Sequence, residues 1–93
     1  MDEKILAKHP DPGKQGVNIS KAKYDVVRET VLDLLRAHGD MTFTELVEAA
    51  NQRLEGTFDG SISWYVTTVK LDLEARGMIQ RVPKSKLQRF RLA

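Results

Sequence analysis

A helix start stands near the middle of the chain, where Thr42-Phe43-Thr44-Glu45 has the spacing of a capping box. Thr42 can accept a hydrogen bond from the amide of Glu45, and the Glu45 side chain can reach back to the Thr42 amide. Met41 and Leu46 occupy the two staple positions around this start. The helix is predicted to end at Leu54, with one apolar face formed by Phe43, Leu46, Val47, Ala50 and Leu54.

A further helix is predicted on each side of this one. Residues 21–38 precede it, with Ser20 as N-cap and Gly39 as a left-handed stop. The third helix starts at Ser61 or Ser63 and ends at Arg76, before the stop at Gly77. Its apolar positions repeat at helical spacing and form a stripe that should face the core: Ile62, Val66, Val69 and Leu73.

The residues after Gly77 have the pattern of a β-hairpin. Two strand-length runs, 78–82 and 87–92, are separated by Pro83-Lys84-Ser85-Lys86, whose proline suits the second position of a type I turn. In the second run two apolar residues alternate with two arginines, so the apolar pair should point inward and the arginines outward. The members of this alternation are Arg89, Phe90, Arg91 and Leu92.

Residues 1–19 are interpreted as an N-terminal arm, because His9-Pro10-Asp11-Pro12-Gly13 disfavours regular structure in its middle. Ninety-three residues leave room for one core, which we assign to residues 20–93. No apolar run approaches the length of a membrane span, and the first residues do not have the pattern of a signal peptide, so a cytoplasmic protein is expected. The absence of cysteine and the presence of only two histidines argue against a cofactor, a zinc site or a disulfide.

The charge is polarised along the chain although the net charge is only +2. Residues 40–60 hold one basic and five acidic groups, whereas the chain from Arg76 onward holds six basic groups and no acid. A positive end of this kind suits a polyanionic partner. A basic tail that only increases solubility is the alternative.

Three helices followed by a basic two-stranded hairpin resemble a winged helix-turn-helix domain over residues 20–93. Leu73-Glu74-Ala75-Arg76-Gly77-Met78-Ile79 is similar to the end of the recognition helix and the entry to the wing in many bacterial members. The chain also resembles a group of small uncharacterised bacterial winged-helix proteins that share its His-Pro-Asp-Pro arm, its Gly-Val-Asn-Ile segment and its run from Ser61 to Gly77. The resemblance implies an α+β, mainly α, fold and the function of a DNA-binding regulator of transcription. The same fold also serves in protein docking and dimerisation.

Two groups of residues are candidates for contact with double-stranded DNA. On the third helix, Ser63, Thr67 and Lys70 are predicted to face the major groove. On the wing, the predicted contacts to the phosphate backbone or a minor groove are Arg81, Lys84, Lys86, Arg89 and Arg91. Asp72 and Glu74 oppose this interpretation by placing negative charge in or near the helix, which also lacks an obvious bidentate reader of bases.

A second hypothesis starts from Trp64, Leu71 and Ala75, which lie on the side of the third helix away from its core stripe. Such a face suits a homodimer or a protein partner without DNA binding. The arm could instead cover this face through Ile5, Leu6, Val17 and Ile19. No second catalytic group accompanies Ser61, Ser63 or Thr68, so we do not expect an enzyme.

Overall fold

The computed structural model describes residues 3–93, which form three helices and two antiparallel sheets. In chain order the elements are β1 (Lys4–Ala7), β2 (Val17–Ser20), α1 (Lys21–His38), β3 (Asp40–Thr42), α2 (Phe43–Leu54), α3 (Ile62–Ala75), β4 (Ile79–Arg81) and β5 (Arg89–Leu92). One sheet is the hairpin β1-β2, and the other has the strand order β3-β5-β4. The protein is a small α+β domain.

The three predicted helices are confirmed, together with the local signals that define their ends. Ser20 caps α1, and Gly39 follows it with a φ of +82°. The capping box of α2 is complete, since the Thr42 amide donates to Glu45 at 2.8 Å and the Glu45 amide donates to Thr42 at 3.1 Å. These hydrogen bonds lower the pKa of Glu45 because they stabilise its charged form.

The core lies where the three helices meet the larger sheet. Val66, Val69 and Leu73 of the predicted α3 stripe are fully buried, while Ile62 at the start of the helix is partly buried. Phe90 of β5 is buried and Arg91 is exposed, as the alternation predicts. Burial of one helical face and one sheet face in this way provides most of the stability of a domain of this size.

A third strand joins the predicted hairpin and was missed in the sequence. Asp40–Thr42 pairs with β5 in the register Asp40↔Arg91, Met41↔Phe90 and Thr42↔Arg89. The residue interpreted only as a helix staple, Met41, is therefore also a buried strand residue. Three residues between two helices are too few to show a strand period, and only the presence of β5 makes them a strand.

The segment predicted as an arm forms a hairpin that packs onto the core, over its described residues 3–19. Ile5 pairs with Ile19 and Ala7 with Val17, and both Ala7 and Ile19 are buried. The interpretation as an arm did not include these two strands, whereas residues 9–13 between them form neither helix nor strand, as their prolines predict. Residues 1 and 2 of the predicted arm lie outside the described residues.

Candidate functional site

The exposed face of α3 carries two of the predicted contact residues. Ser63 and Thr67 are both open to solvent, one helical turn apart. The Thr67 hydroxyl donates to the carbonyl of Ser63 at 2.8 Å, which leaves its oxygen free to accept. Ser61 caps the helix by accepting from the amide of Trp64 at 3.2 Å.

Lys70 was predicted to face DNA, and the structure corrects this. Its side chain is buried, with 6% of the residue exposed. The ammonium lies 3.1 Å from the Glu74 carboxylate and 4.6 Å from the centre of the Phe90 ring. Lys70 stands four residues after Val66 and three before Leu73, so helical geometry places it beside the core stripe. Lys70 is stable in this position because its aliphatic stem packs beside the core, while its ammonium contacts the Glu74 carboxylate and the rings of Phe43 and Phe90.

Asp72 does not place negative charge on the exposed face, because it is fully buried. The Nε of Arg76 donates to both of its oxygens at 2.9 Å, and the hydroxyl of Tyr24 donates to Oδ2. The backbone amide of Lys8 donates to Oδ1 at 2.8 Å. The hydrogen bond to Asp72 raises the pKa of Arg76. The pKa of Tyr24 is raised to about 12, mainly because the phenol is buried and secondly because it donates to the Asp72 carboxylate.

The Asp72 cluster also attaches the first hairpin to α3. Two backbone groups of this hairpin make the attachment. The Lys8 amide donates to Asp72, and the carbonyl of Leu6 accepts a hydrogen bond from Arg76 at 3.2 Å. The loop that follows is itself ordered by its sequence, since His9 Nδ1 accepts from the Asp11 amide and the Asp11 side chain accepts from the Gly13 amide. Lys8 and Lys14 are held on this loop and are exposed.

A shallow groove separates the first hairpin from α3, and it contains most of the second predicted site. The α3 side of the groove is formed by Trp64, Thr68 and Leu71, and Val17 lies on the hairpin side. Trp64 is 47% exposed, while Leu71 is partly buried. Ala75 is exposed. The hairpin therefore covers this face only in part, through Val17 and the loop residues rather than through Leu6, which is itself exposed.

The second hairpin presents four of the five predicted wing cations, all but Arg89, without an ion pair to any residue in the range 3–93. Arg81, Lys84 and Lys86 are exposed, and none of them lies within 4 Å of a carboxylate there. Arg91 is also exposed. Arg89 differs, because it is partly buried and donates to Asp40 at 2.7 Å. It is therefore neutralised by a neighbouring strand.

The turn of this hairpin differs from the predicted type. Lys84, which follows Pro83, has a φ of +64°, and a positive φ at the third turn position belongs to type II rather than type I. This conformation is costly for a residue with a Cβ.

Both hairpins contact α3. The loop of the first one borders Trp64, and β4 of the second packs against the same helix. Polar Ser63 and Thr67 thus lie on a helix that contacts two hairpins, each of which exposes cations. The contribution of Lys8 and Lys14 was missed in the sequence, where the equal number of acids and bases in residues 1–19 hides it.

Neither a membrane helix nor a metal cluster is found among the described residues. None of their helices has both the length and the hydrophobicity that a span across the bilayer requires. In the same part of the chain, no three His, Cys, Asp or Glu side chains gather to hold a metal ion.

The architecture defines a small α+β domain in which two hairpins contact one helix. The chain belongs to a family of unknown function (DUF6958), whose profile matches residues 4–90. The first hairpin and all three helices fall within the matched span. No curated protein and no solved structure matches the chain.

Proposed function

We propose that this protein binds double-stranded DNA as a bacterial winged-helix regulator of transcription, with α3 at the major groove and β4-β5 as the wing. The element order supports this proposal, because three helices are followed by the hairpin β4-β5, which is the order on which the resemblance to a winged helix rests. The strand β3 joins that hairpin in one three-stranded sheet. The cytoplasm is the expected location.

The observation that carries the proposal is the charge beside α3. Exposed cations lie on both of the hairpins that contact α3, and both acids of this helix are paired, Asp72 with Arg76 and Glu74 with Lys70. A major groove about 12 Å wide admits one helix, and phosphates line both of its edges. Cations on hairpins that contact this helix would therefore suit phosphates, which position a protein without reading sequence.

The salt dependence of binding tests this proposal. Each neutralised phosphate contributes roughly −0.9 to the slope of log K against log salt. Removing two wing cations with Lys84→Asn and Lys86→Gln should therefore flatten the slope by about 2 and weaken binding to all duplexes alike. Asparagine is chosen at position 84 because it tolerates the positive φ observed there. Fluorescence anisotropy with a random duplex at several salt concentrations measures the slope.

The matched control removes two cations from the other helices. Arg36→Gln and Arg53→Gln change the net charge equally. Arg36 lies on α1 and Arg53 on α2, and both arginines contact Asp33 of α1 rather than the wing. Their removal should leave the salt slope unchanged. A parent protein that binds no duplex at low ionic strength would contradict the proposal. Equal slopes for the two double variants would show that the wing is not the contact.

A protein-interaction module is the second candidate, and the exposure of Trp64 favours it. A half-exposed tryptophan beside a groove is typical of an interface anchor. Light scattering distinguishes this candidate, because a homodimer through this face should dissociate in a Trp64→Ala variant. A monomer in which iodide quenches Trp64 fluorescence freely would contradict self-association.

A further inference from the structure

α3 lacks the side chains that read guanine or adenine directly. Bidentate contacts to these bases come from Arg, Lys, Asn or Gln. Residues 62–75 include no Arg, Asn or Gln, and the single lysine, Lys70, is buried against Glu74. The helix therefore offers hydroxyl and apolar groups instead of bidentate donors.

The apolar group that α3 exposes most is the indole of Trp64. Its ring packs edge-on against Tyr65 with 5.0 Å between centroids, and Tyr65 packs in the same manner against Phe58 at 5.2 Å. These contacts hold the indole on the helix while 47% of the residue stays exposed. Thr67 adds an exposed methyl group three residues further along the same face.

One base presents an apolar group in the major groove of unmodified DNA. Thymine carries a methyl group at C5, and apolar side chains, including the methyl of threonine, contact it. The cations of the two hairpins bring this helix face toward DNA without selecting any base. An apolar helix face in a protein that also exposes cations on two hairpins therefore suits thymine edges beside phosphates.

We infer that Trp64 and Thr67 recognise the 5-methyl groups of thymines, so that the protein prefers duplexes rich in A·T pairs. The inference rests on the DNA binding proposed above and names the bases that the same site selects. Trp64 provides the main apolar contact and Thr67 the second, while Arg81, Lys84 and Lys86 provide affinity that is independent of sequence.

Replacing thymine by uracil tests this inference, because deoxyuridine lacks only the 5-methyl group. Anisotropy titrations at one fixed salt concentration would compare an alternating A·T duplex with the same duplex containing deoxyuridine. We expect the parent protein to bind the uracil duplex about 3- to 5-fold more weakly for each thymine methyl group that the protein would otherwise touch. Methylating the cytosines of an alternating G·C duplex at C5 should strengthen binding by a similar factor.

Two variants connect the effect to α3. Trp64→Ala should bind the thymine and uracil duplexes with nearly equal affinity and keep the salt slope of the parent. Thr67→Ser removes one methyl group but keeps the hydroxyl that donates to the Ser63 carbonyl. It should therefore reduce in part the difference in affinity between the thymine and uracil duplexes. Val26→Ala is the matched control, since Val26 is an equally exposed apolar residue on α1. It should preserve the full preference for thymine.

The outcomes separate this inference from the proposed function. Salt-dependent binding with equal affinity for thymine and uracil duplexes would overturn the thymine contact and leave DNA binding intact. A preference for thymine that survives in both Trp64→Ala and Thr67→Ser would also overturn it. Absence of binding to every duplex would overturn the inference and the proposed function together.

Discussion

Asp72 shows how a single residue changes the interpretation of a helix. In the sequence its charge opposes an approach to DNA, whereas in the structure both carboxylate oxygens accept hydrogen bonds inside the molecule. A buried carboxylate is tolerated only when it is paired and fully hydrogen-bonded. Tyr24, Arg76 and the Lys8 amide meet that requirement, so Asp72 stabilises the attachment of the first hairpin.

The Tyr24 hydroxyl gives this cluster a measurable dependence on pH. Its pKa is raised to about 12, so the folded state holds the phenol proton more tightly than the unfolded state does. This contribution is fully present below pH 10, the ordinary tyrosine pKa, and is lost as the pH rises through 12.

Urea unfolding of the parent and of Tyr24→Phe at pH 8 and near pH 12 checks this expectation. The variant should be less stable at pH 8 by about 1 to 3 kcal/mol, because Asp72 is deprived of a buried donor. The difference between the two proteins should shrink near pH 12. A constant difference at both pH values would contradict the raised pKa.

The first hairpin shows, at the scale of elements, how close backbone contact determines which residues are allowed. Gly16 lies where a Cβ would stand 2.3 Å from the carbonyl oxygen of Ala7, which is far below van der Waals contact. The space required by the neighbouring strand therefore demands glycine there. Gly13, in the same loop, would place its Cβ 3.4 Å from the Asp11 side chain, which is an ordinary van der Waals distance.

These two glycines form a matched pair for mutation. Gly16→Ala should destabilise the protein by about 1 to 3 kcal/mol, because the backbone of β1 must shift to make room. Gly13→Ala should change stability by less than about 0.5 kcal/mol. Thermal unfolding measures both. Equal destabilisation by the two substitutions would show that the strands of the hairpin do not approach as closely as described.

At the scale of the whole molecule, the first hairpin is part of the core rather than an appendage. Ile19 and Ala7 are buried, and the hairpin contributes the Lys8 amide to Asp72. Small domains bury a limited fraction of their surface, so each buried residue represents a large share of their marginal stability.

Removal of residues 1–19 should therefore destabilise the chain by at least about 3 kcal/mol, since it exposes apolar surface and takes a donor from Asp72. Urea unfolding of the truncated chain measures the decrease in stability. Ile19→Ala and Val17→Ala provide the control within one strand. Ile19→Ala should lower the free energy of unfolding by about 2 to 5 kcal/mol because Ile19 is buried. Val17→Ala should lower it by less than about 1 kcal/mol because Val17 is exposed. A truncated chain as stable as the parent would contradict the packing of the hairpin.

The sequence by itself determined the three helices and the C-terminal hairpin, because caps, stop glycines and apolar periods are local signals. Ser20, the Thr42-Glu45 capping box and the α3 stripe through Val69 all act within one or two helical turns. The tertiary structure decided the rest, since β3 exists only beside β5 and the first hairpin only against α3.

In the candidate site, too, some features follow from local sequence patterns and others depend on the tertiary structure. Exposure of Ser63, Thr67 and most of the wing cations follows from helical and strand periods, and it was predicted. The burial of Lys70 and Asp72 depends on partners distant in the chain, such as Phe90 and Tyr24. A polar side chain next to a core stripe faces water or the interior according to what packs beside it, and only the folded chain brings those partners together.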